Sequence, residues 1–129
     1  MSGISTHVLD TVLGGPGAGI ELRLETMQGG GWIEISGSGA PHERVQDSPG
    51  GWVEVALGTT DNDGRCRDLA PNAPAGLYRI TFDTGAYFER GGRKSIYPEI
   101  SITFTCDGVG HYHLPLLLSD NSYTTYRGS

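Results

Sequence analysis

The feature that most constrains this chain is a hydrophobic period of two. Ile20, Leu22 and Leu24 alternate with Glu21, Arg23 and Glu25, which gives an extended strand one apolar and one polar face. The alternation returns at Val53, Val55 and Leu57, at Tyr78, Ile80 and Phe82, at Ile100, Ile102, Phe104 and Cys106, and at Leu114, Leu116 and Leu118. Shorter β-rich stretches stand at Ile4 to Leu9 and, after the turn Ser119-Asp120-Asn121, at Tyr123 to Arg127. Turn residues separate these runs, and with 21 glycines and 7 prolines in 129 residues the composition favours strands and turns over helices. The pattern predicts an all-β chain of about seven or eight short strands packed as a two-sheet sandwich. One helical piece fits, Gly85 to Arg90 before the Gly91-Gly92 break, and it is short enough to be a connector.

The length suits a single domain, 1–129, with a real core. Lys and Arg number 9 against 15 Asp and Glu, a net charge of −6. That balance keeps a protein soluble, supplies no basic stripe for phosphates, and so argues against a nucleic-acid partner. No apolar run reaches the length that spans a membrane, and the first residues carry neither a basic nor an apolar leader region, so a cytoplasmic location is the expectation. Cys66 and Cys106 are widely spaced and form no CxxC pair, so free thiols are expected rather than a disulfide framework or a zinc site.

The stretch from about Met27 to Gly51 differs from the rest. It is dense in Gly, Ser, Pro and charge, and it contains an echo, Gly30-Gly31-Trp32-Ile33-Glu34-Ile35 against Gly50-Gly51-Trp52-Val53-Glu54-Val55. One hexapeptide pair is weak support for a repeat. The segment reads as a Gly-rich insertion, a long exposed hairpin or loop, with His42 as a solvated residue.

Candidate chemistry centres on histidine, the side chain that accepts and returns a proton near neutrality. His7 lies in the first strand. His111 and His113 lie two apart in the penultimate one, on the face opposite Leu114, Leu116 and Leu118. Surface decoration, a metal site and an acid–base site are all open to such a pair, although no third ligand stands at convincing spacing. Arg65 follows the turn signal Asn62-Asp63-Gly64 and enters the next strand. It suits either an ion pair with a nearby aspartate or recognition of a carbonyl or anion. The tail Tyr126-Arg127-Gly128-Ser129 offers a phenol, a cation and a hydroxyl beside a strand.

In order along the chain, Ile4-Ser5-Thr6-His7-Val8-Leu9-Asp10, Asp63-Gly64-Arg65 and the run from His111 to Ser129, HYHLPLLLSDNSYTTYRGS, resemble the 5-hydroxyisourate hydrolases, the transthyretin-related proteins of purine degradation. Asp83-Thr84-Gly85-Ala86-Tyr87-Phe88 and Ser95-Ile96-Tyr97-Pro98-Glu99 also look like family sequence. The resemblance covers nearly all the chain outside about 27–51, where the connection is longer than is usual in the family. It implies a transthyretin-like fold of two four-stranded sheets with a short helix, and a homotetramer built as a dimer of dimers. Its active sites would lie in a channel between dimers. It further implies hydrolytic ring opening of 5-hydroxyisourate to 2-oxo-4-hydroxy-4-carboxy-5-ureidoimidazoline, with no organic cofactor. Carried over by motif, the site residues are His7, Arg65, His113 and Ser129 for catalysis, with His7, Arg65 and Tyr126 binding substrate. A non-catalytic small-molecule carrier with the same fold is the competing expectation.

Overall fold

The computed structural model describes residues 1–28 and 51–128. Among the described residues, nine strands and one helix follow in order: β1 Ser2–Asp10, β2 Gly15–Pro16, β3 Glu21–Gln28, β4 Gly51–Thr59, β5 Arg65–Ala73, β6 Gly76–Phe82, α1 Thr84–Arg90, β7 Ile100–Cys106, β8 His111–Leu118 and β9 Tyr123–Thr125. They form two packed sheets. The first runs β2-β1-β8-β9 with β5 also on β1, and the second runs β4-β3-β6-β7. The first sheet therefore has five strands rather than four. Its outer edge is shared, because β5 pairs with β1 from Ser2 to His7 and the short β2 pairs with Leu9 and Asp10.

The side chains between the sheets are those that the alternation assigns to the apolar faces. Ile20, Leu22, Leu24, Tyr78, Ile80, Phe82, Ile100, Cys106, Leu114, Leu116 and Leu118 are all buried, and Ile4 and Val8 of β1 join them. Both cysteines are free. Thr6 is a polar residue on this inner face, and its hydroxyl donates to the Leu114 carbonyl at 2.6 Å. Its burial is thereby matched by a hydrogen bond. Helix α1 begins one residue earlier than the sequence suggests, because the Asp83 carboxylate accepts from the Ala86 amide at 3.2 Å and caps it.

One face was misread. The run Val53, Val55, Leu57 predicts a half-buried stripe, yet Val55 is 43 % and Leu57 68 % exposed. The register against β3 shifts between Leu24 and Glu25, whose partners are Ala56 and Glu54. Val55 is the extra residue of a β-bulge, so Leu57 faces outward opposite Arg23 while Val53 stands opposite Thr26. The period of two is real on each side of the bulge but is re-phased across it.

The chain direction within the first sheet matters most for function. β1 and β8 are parallel neighbours, in register from Gly3 with His111 to Asp10 with Leu118. The start of the chain and its penultimate strand thus share one surface.

Candidate active site

On β1 the residues Ile4, Thr6 and Val8 point into the core, so Ser5 and His7 stand on the opposite face. On β8 the buried Tyr112, Leu114 and Leu116 leave His111 and His113 on that same outer face. The pairing of Ser5 with His113 and of His7 with Pro115 brings the imidazoles together. The rings of His7 and His113 stand 6.4 Å apart, centre to centre.

Arg65 is delivered by a turn whose construction is local. The Asp61 carboxylate accepts from the amides of Asp63 at 2.8 Å and of Arg65 at 2.9 Å. Gly64 has φ of +77°, and a Cβ there would come within 2.3 Å of the Val8 carbonyl oxygen. Only glycine fits that approach. The turn is stitched to β1 by the Val8 amide donating to Gly64 O at 2.7 Å, and Arg65 lies in register with His7. Asp61 thus binds the backbone of the turn, and the Arg65 guanidinium makes no ion pair among the described residues. The aspartate-paired reading of this arginine does not hold.

Ser5, Thr6, Arg65, Arg67, His111 and His113 line an open pocket of about 550 Å³. His7 is not among the lining residues, but its ring stands 6.4 Å from that of His113 and its backbone is in register with Arg65. The His7 Nε2 lies 3.0 Å from the Asp63 carbonyl oxygen. A carbonyl only accepts, so this nitrogen carries the proton and the lone pair of the neutral ring is on Nδ1. His113 is held below the ordinary histidine value of 6.5, first by burial and then by the nearby charges of Arg65, His7 and His111. It is therefore a neutral ring at neutral pH, ready to accept a proton.

Besides Thr6, whose hydroxyl serves the core, two pocket residues escaped the sequence reading, Ser5 and Arg67. Each stands two places from a residue that was identified, His7 and Arg65, and the same period of two could have found them. Tyr126 is 53 % exposed and is not among the residues lining the pocket. The tail nonetheless returns to the site. The Gly128 amide donates to the His113 carbonyl at 2.6 Å, and a Cβ on Gly128 would stand 2.9 Å from the His113 ring. Arg127 lies over the Tyr112 ring at 3.9 Å and donates to the His111 carbonyl at 3.2 Å. Ser129 and His42 lie outside the described residues, as does the duplicated segment from Gly30 to Ile35. Among the described residues there is no group of three or more His, Cys, Asp or Glu placed to hold a metal ion.

With this geometry in hand, comparison with known proteins is decisive. Residues 4–128 match the model of the HIUase/Transthyretin family. The chain belongs to this family. It is 38 % identical over 129 residues to the 5-hydroxyisourate hydrolase of Salmonella typhimurium, covering 98 % of this chain and 80 % of that one. It is 37 % identical over 131 residues to the mouse 5-hydroxyisourate hydrolase, covering 99 % and 96 %. Among solved structures it is similar to the Klebsiella pneumoniae 5-hydroxyisourate hydrolase, with a TM-score of 0.74, 33 % identity and coverage of 100 % and 94 %. It is also similar to sea bream transthyretin in complex with thyroxine, with a TM-score of 0.78, 30 % identity and coverage of 97 % and 93 %. Family membership thus includes both a hydrolase and a hormone-bound protein, and the site must discriminate between them.

Proposed function

We propose that this protein hydrolyses 5-hydroxyisourate, opening its six-membered ring to give 2-oxo-4-hydroxy-4-carboxy-5-ureidoimidazoline. The observation that carries this reading is the gathering of His113 and Arg65 in one open pocket, with the His7 ring 6.4 Å from that of His113 and Arg65 free of an ion pair among the described residues. A pocket of about 550 Å³ suits a small heterocycle. The relatives named above as 5-hydroxyisourate hydrolases supply the substrate.

The neutral His113 takes a proton from water as the oxygen attacks the ring carbonyl, and returns it to the nitrogen that departs. Arg65 faces the carbonyl oxygen and stabilises the negative charge that develops on it, then the carboxylate of the product. His7, with its lone pair fixed on Nδ1 by Asp63, orients the substrate and is a second acceptor for the water proton. Tyr126 shapes the pocket and Ser129 orients the water or an imidazole. Both of these roles belong to an assembled homotetramer, a dimer of dimers in which neighbouring subunits complete the channel. The hydrolase domain spans 1–129, with a Gly-rich insertion at about 27–51. It works in the cytoplasm without an organic cofactor. No described helix is long and apolar enough to cross a membrane.

The competing reading, a non-catalytic carrier, draws on the likeness to the thyroxine-bound sea bream protein. One assay separates them. Urate oxidase generates 5-hydroxyisourate, and the ultraviolet decay of that intermediate is followed with and without the protein. Acceleration well above the spontaneous rate is expected, and its absence across protein concentrations overturns the hydrolase reading. Deleting 29–50 and measuring activity and oligomer size tests whether the insertion bears on chemistry or on assembly.

A further inference from the structure

The outer face of β1 carries a side chain that the mechanism above does not use. Ser5 is only 6 % exposed. Its Oγ lies 2.8 Å from His111 Nε2 and 2.8 Å from His113 Nδ1. A single hydroxyl, with one proton to give, thus stands between two imidazoles. A Cβ added at Gly3 would come within 2.7 Å of His111 Nδ1, and one at Gly128 within 2.9 Å of the His113 ring, so both glycines leave room for these imidazoles.

We propose that Ser5 is a positioning residue that locks His111 and His113 into matching tautomers and joins them in a proton relay, His113–Ser5–His111. The inference rests on the hydrolase reading for its catalytic part, and on hydrogen-bond chemistry alone for its tautomer part.

The matching follows from counting protons. If Ser5 donates to His111 Nε2, it accepts from His113 Nδ1–H, and both neutral rings carry their proton on Nδ1. His113 Nε2 is then the free base. If Ser5 donates to His113 Nδ1, it accepts from His111 Nε2–H, and both rings carry the proton on Nε2. His113 is then an acid. Were both rings to donate, the Ser5 proton would be left without an acceptor among the described residues, on a side chain whose residue is only 6 % exposed. The resting enzyme needs the first arrangement, and one turn of the hydroxyl with the transfer of its neighbours' protons gives the second.

This switch relieves an electrostatic problem. When His113 Nε2 takes the water proton, a cation forms beside Arg65 and His7, with Arg67 lining the same pocket. The His113 Nδ1 proton passes to Ser5 Oγ, and the Ser5 proton passes to His111 Nε2. The charge now rests on His111, the more exposed ring. As the ring carbon–nitrogen bond breaks, His113 Nε2 gives its proton to the departing nitrogen, and the proton on His111 Nε2 returns through Ser5 to His113 Nδ1. Water has added one hydroxyl to carbon and one proton to nitrogen, and all three side chains are restored.

The test uses the full-length protein and its Ser5→Ala, Ser5→Thr and His111→Gln variants, with nitrogen NMR of the imidazoles and steady-state kinetics on 5-hydroxyisourate. In the parent protein, His111 and His113 are expected to show the same tautomer, protonated on Nδ1. Ser5→Ala should release His113 into a mixture and lower kcat by roughly ten- to a hundredfold with KM little changed, because the hydroxyl is engaged by the two imidazoles. Ser5→Thr keeps the hydroxyl and should recover most of kcat. The double variant Ser5→Ala/His111→Gln should be no slower than Ser5→Ala, since both cut the same chain. Opposite tautomers in the parent, an unchanged kcat in a folded Ser5→Ala, or multiplying losses in the double variant would each overturn the relay. A parent protein with matched tautomers but no activity would overturn the hydrolase reading instead, leaving the tautomer lock intact.

Discussion

Two charged clusters sit on β1, one on each face, and they are built in opposite ways. On the inner face, the Asp10 carboxylate is fully covered and every approach to it is taken. It accepts from the amides of Val12 and Leu13 at 3.1 Å, from the Tyr87 hydroxyl at 2.7 Å and from Arg93 Nη1 at 2.5 Å. Arg93 goes on to pair with Asp120, next to the turn that precedes β9. Burial alone would push the Asp10 carboxyl up, yet Arg93, Leu13 and Tyr87 together bring it down to about 2. Burial and the same carboxylate push Tyr87 up to about 12. On the outer face, His113 is tied through one ring nitrogen only, and Arg65 has no carboxylate partner among the described residues. A group with every partner supplied holds structure together, whereas one with a free lone pair or an unanswered charge is available to a substrate. The proximity of the two clusters on one strand shows that burial and charge by themselves do not mark an active site. What marks it is the unfilled valence.

The sharpest way to break the contrast is to remove a member of each cluster and read both activity and stability. His113→Ala should lower kcat/KM by about a hundred- to ten-thousandfold while the denaturation midpoint stays put, because a general base is lost and no structural bond depends on its side chain except that to Ser5. A midpoint that collapses with the activity would place His113 among the structural groups. Asp10→Asn should do the reverse, costing about 2–3 kcal/mol in urea unfolding by weakening the covered pair with Arg93, which keeps Asp120, with little change in turnover per folded molecule. Loss of turnover in the folded variant would merge the two clusters into one functional unit.

A smaller effect sharpens the same point through pH. The folded Asp10 value of about 2 lies below its ordinary 3.8, so its stabilisation is fully present above about pH 4 and drains as the pH falls toward 2. The loss is about 2 kcal/mol by linkage, and acid unfolding of the Asp10→Asn variant should lack that component. The smallest effect belongs to the outer face. His113 is held below 6.5, so the acid limb of kcat/KM should fall below that pH in the parent. Arg65→Gln removes a positive neighbour, lets the imidazole protonate sooner, and should move the limb of the residual activity to higher pH. A limb that stays in place would assign the titration to another group, with His7 the first to examine.

Much of this molecule was legible in the sequence, and the limits have physical causes. The apolar faces of β3, β6, β7 and β8 follow from strict alternation, because both sheets pack on one core. β4 defeated the reading because a bulge breaks phase without any mark such as glycine or proline at Val55. β5, RCRDLAPNA, shows no clean alternation, and its pairing with β1 is interrupted twice, between Ser2 and Ile4 and between Ile4 and Thr6. The grouping of His7, Arg65 and His113 was anticipated by resemblance, since spacing alone cannot bring together residues so far apart in the chain. Ser5 and the Asp10–Arg93 network were missed for a common reason. Serine after a strand start and aspartate at a strand end are ordinary turn-forming residues in a sequence, and only their partners in space give them weight.

The parallel pairing of β1 with β8 also bears on how the protein is made. The Thr6 hydroxyl finds its acceptor on Leu114, 108 residues further along. During synthesis β1 leaves the ribosome first and then waits, its edge toward β8 unmatched, while β2 to β7 and the helix follow. Such distant pairing closes late and slowly. A nascent or truncated chain that stops before His111 holds His7 and Arg65 but neither imidazole of β8, and it has no strand against which to set them. An interrupted chain is therefore silent rather than partly active, and the unpaired edge of β1 is the surface by which quality control would recognise it.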